Sequence, residues 1–191
     1  MNYETNAFNQ DTFLLQAVKD LIAKYGIQTI VETGTYKGDT TLALAGLVPH
    51  VITSEIHPIY YDEAMARLKD FPNVRAFKGN SPEILAQVLP TIIQPSLFFL
   101  DAHWYAYCPL LDEIKAVANA QIKPVIIIHD FFVPDSPDLG FDTFKGQKFD
   151  FEWVKPMLDL VGSYKHWYNT SATAAGSRRG ALFADFIGSG A

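Results

Sequence analysis

The chain has 191 residues, 49% of them hydrophobic, so it is long enough for a single domain over residues 1–191 with one continuous core. Its net charge is −6, and no basic run is longer than Arg178-Arg179, which argues against a nucleic-acid partner. The single cysteine, Cys108, excludes an internal disulfide. Without a long apolar run or a signal-peptide pattern, we expect a cytoplasmic protein that does not enter a membrane.

Helical and strand patterns alternate along the chain. Apolar residues recur at helical spacing from Leu14 to Tyr25, and Gly26 stands where a glycine ends a helix. Strands are predicted at 29–32, 51–55, 74–77, 96–100 and 125–128. Helices are predicted at 39–48, 58–69, 82–89, 110–120 and 151–160. Asp39 and Ser81 are the predicted N-caps of the first and third of these helices.

The predicted strands are continuous apolar runs, which is typical of a parallel sheet buried on both faces. Successive βα units indicate a doubly wound α/β fold with helices on both faces. The end of the chain differs, because 164–168 and 181–187 read as two strands with no helical pattern between them. These two strands predict an antiparallel closing pair.

The stretch from Thr29 to Gly38 is the most informative part of the sequence. A short apolar strand delivers Glu32 to a tight turn, in which Gly34 can take a positive φ and let a ligand approach the backbone. The next strand ends in Glu55, which is placed to accept both hydroxyls of a ribose. Glu32 replaces the first glycine of a dinucleotide fingerprint, and its carboxylate suits an ammonium group better than a pyrophosphate.

The pattern E-x-G-x-x-x-G, followed by a strand that ends in Glu55, resembles the first two motifs of the class I S-adenosylmethionine-dependent methyltransferases. The resemblance implies a Rossmann-like seven-stranded sheet in the order 3-2-1-4-5-7-6, with strand 7 antiparallel, and S-adenosylmethionine as the cofactor. It implies that the cofactor is bound by Glu32, Thr33, Gly34, Thr35, Gly38, Glu55, Asn80, Ser81 and Asp101. Asn80 would accept a hydrogen bond from the adenine amino group. The alternative is that Asn80 and Ser81 only form the turn and cap the helix.

Acids and histidines follow the fourth and fifth predicted strands. Asp101-Ala-His103-Trp104 and His129-Asp130-Phe131 resemble the metal-dependent O-methyltransferases of the catechol and macrolide-sugar types. This resemblance implies a hydroxylated small molecule as methyl acceptor and a divalent cation, Mg²⁺ or Mn²⁺. Because neighbouring parallel strands lie about 4.8 Å apart, Asp101 and Asp130 could ligate one ion, with His129 as a further ligand. Alternatively, His129 is a hydrogen-bonded residue at the strand end, and Asp130 only caps a loop.

The metal motif departs from the catechol type at two positions. That type carries an amide after the acid of strand 5, where this chain has Phe131. It also carries a lysine shortly after the acid of strand 4, where this chain offers His103, Tyr105 and Tyr107. His103 is therefore the candidate general base, together with Asp101, because an imidazole titrates near neutral pH. The alternative is a loop histidine stacked on Trp104 or Tyr105.

Two further functions are compatible with these residues. A metal-dependent hydrolase or oxygenase could use a ligand cluster drawn from the ends of strands 4 and 5, namely Asp101, His103, His129 and Asp130. A catalytically silent protein could bind the nucleoside alone.

The connection from Phe131 to Asp150 is long enough to be functional, and we predict that it forms the acceptor side of the site. Its aromatic residues could wall an acceptor pocket: Phe132, Phe141, Phe144 and Phe149. They could instead cover the sheet edge or form the contact of a homodimer. Residues 1–10 are predicted to be a flexible N-terminus, in which Tyr3 and Phe8 could close over the same opening.

Overall fold

The computed structural model describes residues 3–103, 107–172 and 178–188, and a mixed seven-stranded sheet forms the centre of this part of the chain. The strands are β1 (Thr29–Thr33), β2 (His50–Glu55), β3 (Val74–Lys78), β4 (Ser96–Leu100), β5 (Val125–His129), β6 (Thr143–Phe144), β7 (Gln147–Lys148), β8 (Lys165–Tyr168) and β9 (Ala181–Asp185). The large sheet has the order β3-β2-β1-β4-β5-β9-β8, and β9 pairs antiparallel with both neighbours. This confirms the predicted order and the antiparallel final strand. The small pair β6–β7 was not predicted.

In the described part of the chain, six α-helices surround the sheet: α1 (Thr12–Tyr25), α2 (Asp39–Ala45), α3 (Pro58–Leu68), α4 (Ser81–Val88), α5 (Leu110–Val117) and α6 (Phe151–Val161). Neighbouring residues of β4 point into different cores, as expected for a strand that is buried on both sides. Phe98 packs in the core with α4, α5 and α6, whereas Phe99 packs in the core with α1 and α2. Helices therefore cover both faces, as predicted. Within the described ranges, no helix has the length and apolar character that a membrane crossing requires.

The end of α1 is confirmed, but the predicted cap of α2 is wrong by one residue. Gly26 ends α1 in the left-handed conformation, with φ of 60°. At α2 the N-cap is Gly38, with φ of 82°, and Asp39 is the first helical residue. The Asp39 carboxylate instead accepts a hydrogen bond of 2.6 Å from Arg67, so a tertiary contact takes the side chain that was expected to cap the helix.

The predicted cap of α4 is also wrong. Asn80 occupies the N-cap position without a side-chain hydrogen bond to the helix, and Ser81 is already helical. The Ser81 hydroxyl donates to the carboxylate of Glu113 on α5. A buried acceptor on the neighbouring helix has therefore recruited the serine. The helices predicted at 39–48 and 110–120 are shorter than expected, because 46–48 and 118–120 lie outside the regular helices.

The N-terminal segment, Tyr3–Gln10, is a kinked 3₁₀ segment that packs against α2. Phe8, Asn9 and Gln10 have positive φ values of 51°, 55° and 68°, a strained conformation for residues with side chains. Phe8 is buried edge-to-face against Phe99, with 5.0 Å between ring centroids. Its N–H donates to the Thr40 hydroxyl at 3.0 Å. The flexibility of this terminus stays a prediction, but these contacts bring Phe8 to the carboxyl edge of the sheet.

Candidate functional site

A cavity of about 510 Å³ opens at the carboxyl ends of the parallel strands, where the strand order reverses between β1 and β4. This is the place where open α/β sheets bind ligands, and the volume suits a small molecule. Seven of the nine predicted cofactor-binding residues line it: Glu32, Gly34, Thr35, Glu55, Asn80, Ser81 and Asp101. Thr33 and Gly38 are not among the residues of its wall. The N-terminal segment contributes Asn6, Phe8 and Asn9.

Glu55 is fixed in the cavity wall by the backbone. One carboxylate oxygen accepts from the N–H of Tyr36 at 2.8 Å, and the other accepts from the N–H of His57 at 2.7 Å. A carboxylate oxygen has room for a second donor. Glu55 therefore presents two oriented oxygens that can each accept a further hydrogen bond from a ligand.

Gly34 has the positive φ that the sequence predicts, with a value of 83°. A Cβ at this position would lie 2.5 Å from the carbonyl oxygen of Asp101 and 3.1 Å from Cα of Ala102. The expectation that glycine makes room for a ligand is therefore incomplete, because the backbone after β4 fills that space. Gly34 is needed for the close packing of the two turns that carry the site.

Glu32 lies at the base of the cavity and is almost fully buried. One of its carboxylate oxygens accepts hydrogen bonds from the hydroxyls of Thr41, at 2.5 Å, and Thr53, at 2.6 Å. Burial raises the pKa of Glu32 to about 7, although both hydrogen bonds oppose that shift. The hydroxyls hold the carboxyl group in place, and its proposed contact with an ammonium group stays a prediction.

Asn80 carries the clearest unused polar group in the cavity wall. Its Oδ1 atom is buried and has no hydrogen-bond partner, while its Nδ2 atom lies 3.4 Å from a carboxylate oxygen of Glu83. A buried acceptor without a donor costs about 1–3 kcal/mol. Asn80 stands at the N-cap position of α4, but neither its side chain nor that of Ser81 caps the helix with a hydrogen bond. The role of both residues in cofactor binding stays a prediction.

Glu113 is a buried carboxyl group behind the cavity that sequence reasoning missed. It accepts hydrogen bonds from the hydroxyls of Ser81 and Thr33, and it is only 1% exposed. Burial raises the pKa of Glu113 to about 7, with the two hydrogen bonds acting in the opposite direction. The sequence did contain a signal, because Glu113 stands at helical spacing among the buried positions Leu110 and Val117.

The predicted acids and histidines at the ends of β4 and β5 do come together. His129 Nδ1 lies 3.2 Å from Asp101 Oδ1 and 3.6 Å from Asp130 Oδ1. His103 Nε2 lies 3.1 Å from Asp130 Oδ2 and 3.8 Å from Asp101 Oδ1. One donor atom each from Asp101, His129 and Asp130 falls within 4.8 Å of the others, and the same holds for His103, Asp130 and Asp142.

Arg179 is the main residue of this cluster that the sequence did not predict. Its Nε atom donates to Asp130 Oδ1, and its Nη2 atom donates to Asp142 Oδ1. Because opposite charges within hydrogen-bond distance stabilise each other, the guanidinium compensates both carboxylates. The closeness of Asp101 and Asp130 therefore does not by itself require a metal ion.

The electrostatic environment favours charged histidines. Burial alone would lower the pKa of His129, but the charges of Asp101 and Asp130 outweigh it and raise the pKa to about 9. Burial would also lower the pKa of His103, but its hydrogen bond to the Asp130 carboxylate and the nearby acids outweigh this and raise the pKa. The pKa of Asp130 falls well below its usual range, because its histidine neighbours outweigh its burial. A protonated imidazole donates rather than accepts protons, which weakens the predicted role of His103 as general base.

The environment of His103 also makes direct contact with a ligand difficult. Its side chain is 2% exposed and packs edge-to-face against Phe149, with 4.8 Å between ring centroids. Its predicted stacking partners Trp104 and Tyr105 lie outside the described residues. Asp101, by contrast, lines the cavity with a side chain that is 26% exposed. Asp101 is thus the more accessible of the two predicted catalytic residues.

The aromatic residues of the acceptor-side loop do not line the cavity. Phe149 is buried beside His103, and Phe132 packs edge-to-face against Phe141 at 5.0 Å between centroids. Phe144 belongs to the β6–β7 pair. Their role as walls of an acceptor pocket stays a prediction.

The fold has solved relatives, although the sequence matches no protein-family model and no curated protein sequence. An O-methyltransferase from Bacillus cereus in complex with S-adenosylhomocysteine aligns with a TM-score of 0.62 at 17% identity, over 91% of this chain and 80% of that chain. The O-methyltransferase TomG from Streptomyces achromogenes, in complex with S-adenosylmethionine, aligns with a TM-score of 0.60 at 17% identity, over 89% and 78%. The chain has the class I methyltransferase fold. The precorrin-8W decarboxylase of Methanobacterium thermoautotrophicum shares this similarity, with a TM-score of 0.57 at 17% identity over 91% and 90%.

A class I methyltransferase fold carries more than one reaction among these relatives, so the chemistry has to be argued from the site. The cavity fits S-adenosylmethionine in its polar groups, because Glu55 has spare acceptor capacity and Asn80 Oδ1 lacks a donor. The cluster at β4 and β5 fits a divalent cation in its donor set, which combines an imidazole nitrogen with two carboxylate oxygens. In the structure, however, Arg179 already contacts one of those carboxylates.

Proposed function

We propose that this protein is an S-adenosylmethionine-dependent methyltransferase that methylates a hydroxyl group of a small molecule. The observation that carries the proposal is the cavity at the strand-order reversal. Its wall holds hydrogen-bond acceptors that can still accept hydrogen bonds from a ligand. Glu55 would accept hydrogen bonds from the ribose hydroxyls, and the unpartnered Asn80 Oδ1 would accept from the adenine amino group. The class I fold supports the same cofactor, since two of the relatives contain S-adenosylmethionine or its product.

The cofactor, when bound, supplies a methyl group on a sulfonium that a nucleophilic oxygen can attack. The chain's own residues would prepare that oxygen. Asp101 lies in the cavity wall and would take the proton of the acceptor hydroxyl, while His129 orients its carboxylate through the contact of 3.2 Å. His103 would act as a positioning residue by holding Asp130 at 3.1 Å. Hydroxyl acceptors are supported by the O-methyltransferases among the structural relatives.

The second part of the proposal is a divalent cation held by Asp101, His129 and Asp130. These residues offer donor atoms close enough to share one ion. A bound cation would lower the pKa of a coordinated hydroxyl and so assist its deprotonation. His129 would give up its imidazole proton when it binds the ion. Its nitrogen suits Mn²⁺ better than Mg²⁺, because softer ions accept nitrogen ligands more readily.

The test is methyl transfer by the purified protein from methyl-labelled S-adenosylmethionine to catechols, sugars, polyketides and hydroxylated amino acids. We expect S-adenosylhomocysteine to form with at least one class of acceptor, and Asp101→Asn to abolish turnover. Chelation should remove turnover, and Mn²⁺ or Mg²⁺ should restore it. Cofactor binding without turnover on any acceptor would contradict the enzymatic proposal and favour a silent nucleoside-binding protein. Turnover that survives exhaustive chelation would contradict the metal.

A further inference from the structure

We infer that Arg179 and a divalent cation are alternative counter-ions of Asp130, so that the ion binds tightly only when the guanidinium moves away. The inference rests on the proposed metal site and concerns its regulation. It names a protein group that competes with the ion, which the sequence motifs do not indicate.

Both carboxylate oxygens of Asp130 are already engaged. Oδ2 lies 3.1 Å from His103 Nε2, and Oδ1 accepts from Arg179 Nε. Oδ1 is also the oxygen nearest to His129, at 3.6 Å from Nδ1. An ion held jointly by His129 and Asp130 would therefore bind the same oxygen as the guanidinium and lie next to that positive charge.

The backbone at Arg179 is held firmly, so the side chain is the part that has to move. The N–H of Phe131 donates to the carbonyl of Gly180 at 2.9 Å, and the N–H of Gly180 donates to the carbonyl of Gly140 at 2.9 Å. A Cβ at Gly180 would lie 2.1 Å from the Phe131 carbonyl oxygen, so the two backbone segments lie closer together than a residue with a side chain would permit. Asn169 Nδ2 adds a hydrogen bond of 3.0 Å to the Arg179 carbonyl.

Charge balance makes the two cations mutually exclusive at Asp130. The guanidinium contacts Asp130 and Asp142, and the imidazoles of His103 and His129 lie beside the same acids. A divalent ion added to this arrangement would face the guanidinium across one partly buried carboxylate, where like charges repel strongly. Release of Arg179 relieves that repulsion. Asp142 has a side chain that is 38% exposed, so water can solvate it once the guanidinium leaves.

The experiment is a Mn²⁺ titration of the full chain, followed by the electron paramagnetic resonance signal of the free ion. Arg179→Gln should bind Mn²⁺ at least about ten-fold more tightly than wild type, because the competing charge-assisted hydrogen bonds are removed. Arg178→Gln is the matched control. Arg178 carries the same charge one residue away, but it pairs with the exposed Asp138 at 2.9 Å, so its loss should leave the Mn²⁺ affinity unchanged.

Arg179→Met provides a second variant should Arg179→Gln fail to fold. It removes the guanidinium but keeps a long unbranched side chain that can pack, so it should also bind Mn²⁺ at least about ten-fold more tightly than wild type. Equal or weaker Mn²⁺ affinity in a folded Arg179→Gln or Arg179→Met would overturn the inference. An equal gain in Arg178→Gln would also overturn it, because the effect would then be one of net charge.

S-adenosylmethionine binding to the same samples separates this inference from the proposed function. The Mn²⁺ titration needs neither cofactor nor turnover. Samples that bind the cofactor but show no Mn²⁺ binding, in wild type and Arg179→Gln alike, would overturn the competition and leave the methyltransferase proposal standing. Samples that bind Mn²⁺ as expected but not the cofactor would overturn the methyltransferase proposal instead.

Discussion

The two halves of the carboxyl edge of the sheet leave their polar groups in different states. At the ends of β2 and β3, Glu55 is oriented by two backbone N–H groups and can still accept further hydrogen bonds, and Asn80 Oδ1 has no partner. At the ends of β4 and β5, Asp130 is engaged on both oxygens by His103 and Arg179. In the first half the partners of the carboxylate are neutral N–H groups and an amide oxygen has no partner, whereas in the second half a charged arginine compensates the carboxylate.

This difference indicates how each half would meet a ligand. A group that is already oriented and unsaturated can bind without rearrangement, so little of the binding free energy is lost. A carboxylate that already pairs with a cation binds a second cation well only when the first moves away, because the two positive charges repel. We therefore expect the half with Glu55 and Asn80 to act as a rigid cofactor site, and the half with Asp130 to change its contacts during function.

The largest expected effect is a loss of stability at the contact between Gly34 and the backbone of Asp101, which joins the two halves. Gly34→Ala would place a Cβ 2.5 Å from the Asp101 carbonyl oxygen, so the backbones would have to separate. Gly146→Ala is the matched control, because Gly146 has nearly the same φ, 85° against 83°, but nothing within 4 Å of the new Cβ. Urea denaturation should show a loss of roughly 3–5 kcal/mol for Gly34→Ala and about 1–2 kcal/mol for Gly146→Ala. Equal losses would show that the two halves are not tightly packed at this point.

Glu113 lies behind the cavity, and the pH dependence of the unfolding free energy tests whether burial raises its pKa. Burial raises its pKa in the folded state from 4.5 to about 7, so the folded protein binds the proton more tightly than the unfolded chain does. The corresponding stability is present below the unfolded pKa and is lost as the pH rises through about 7. Glu113→Gln cannot ionise. Its unfolding free energy relative to wild type should rise by about 3 kcal/mol between pH 4 and 8.

Glu152→Gln is the control for this measurement, because it makes the same chemical change at an exposed position in the first turn of α6. Its difference from wild type should stay constant with pH. A constant difference for Glu113→Gln as well would show that the buried carboxyl group titrates as it does in water.

The smallest expected effect is the loss of cofactor affinity on substitution of Asn80. Asn80→Ala removes the unpartnered acceptor and the hydrogen bond of 3.4 Å from Nδ2 to the exposed carboxylate of Glu83, but it removes no side-chain hydrogen bond to a helix N–H group. Affinity for S-adenosylmethionine should fall by roughly three- to ten-fold in calorimetry, while the melting temperature stays constant or rises. A lower melting temperature with unchanged affinity would assign Asn80 to the fold rather than to the ligand.

The fold could be predicted because its signals are local. Runs such as the one that contains Phe98 and Phe99 are apolar throughout, which requires burial on both faces, and polar residues at successive strand ends must meet at one edge. Gly34 and Glu55 were identified for the same reason, since the turn and the strand end define their positions. The relevant information lies within a few residues of each feature.

The features of the fold and the site that the sequence did not predict depend on contacts between distant parts of the chain. Arg179 is 49 residues from Asp130, and nothing near either residue indicates that they pair. Ser81 was predicted to cap its helix, but Glu113 recruits the hydroxyl from 32 residues away. The positive φ of Phe8 likewise follows from its burial against Phe99 rather than from local preference.

The central claim is that the cavity binds S-adenosylmethionine through the oriented carboxylate of Glu55. The direct measurement is calorimetric titration of the cofactor into wild type and Glu55→Ala, with Glu63→Ala as a control that removes a surface carboxylate 3.8 Å from Lys37. We predict binding to wild type and the control, and affinity about ten- to a hundred-fold lower in Glu55→Ala, because charge-assisted hydrogen bonds are worth about 1.5–3 kcal/mol. No binding to wild type, or equal binding to a folded Glu55→Ala, would contradict the account.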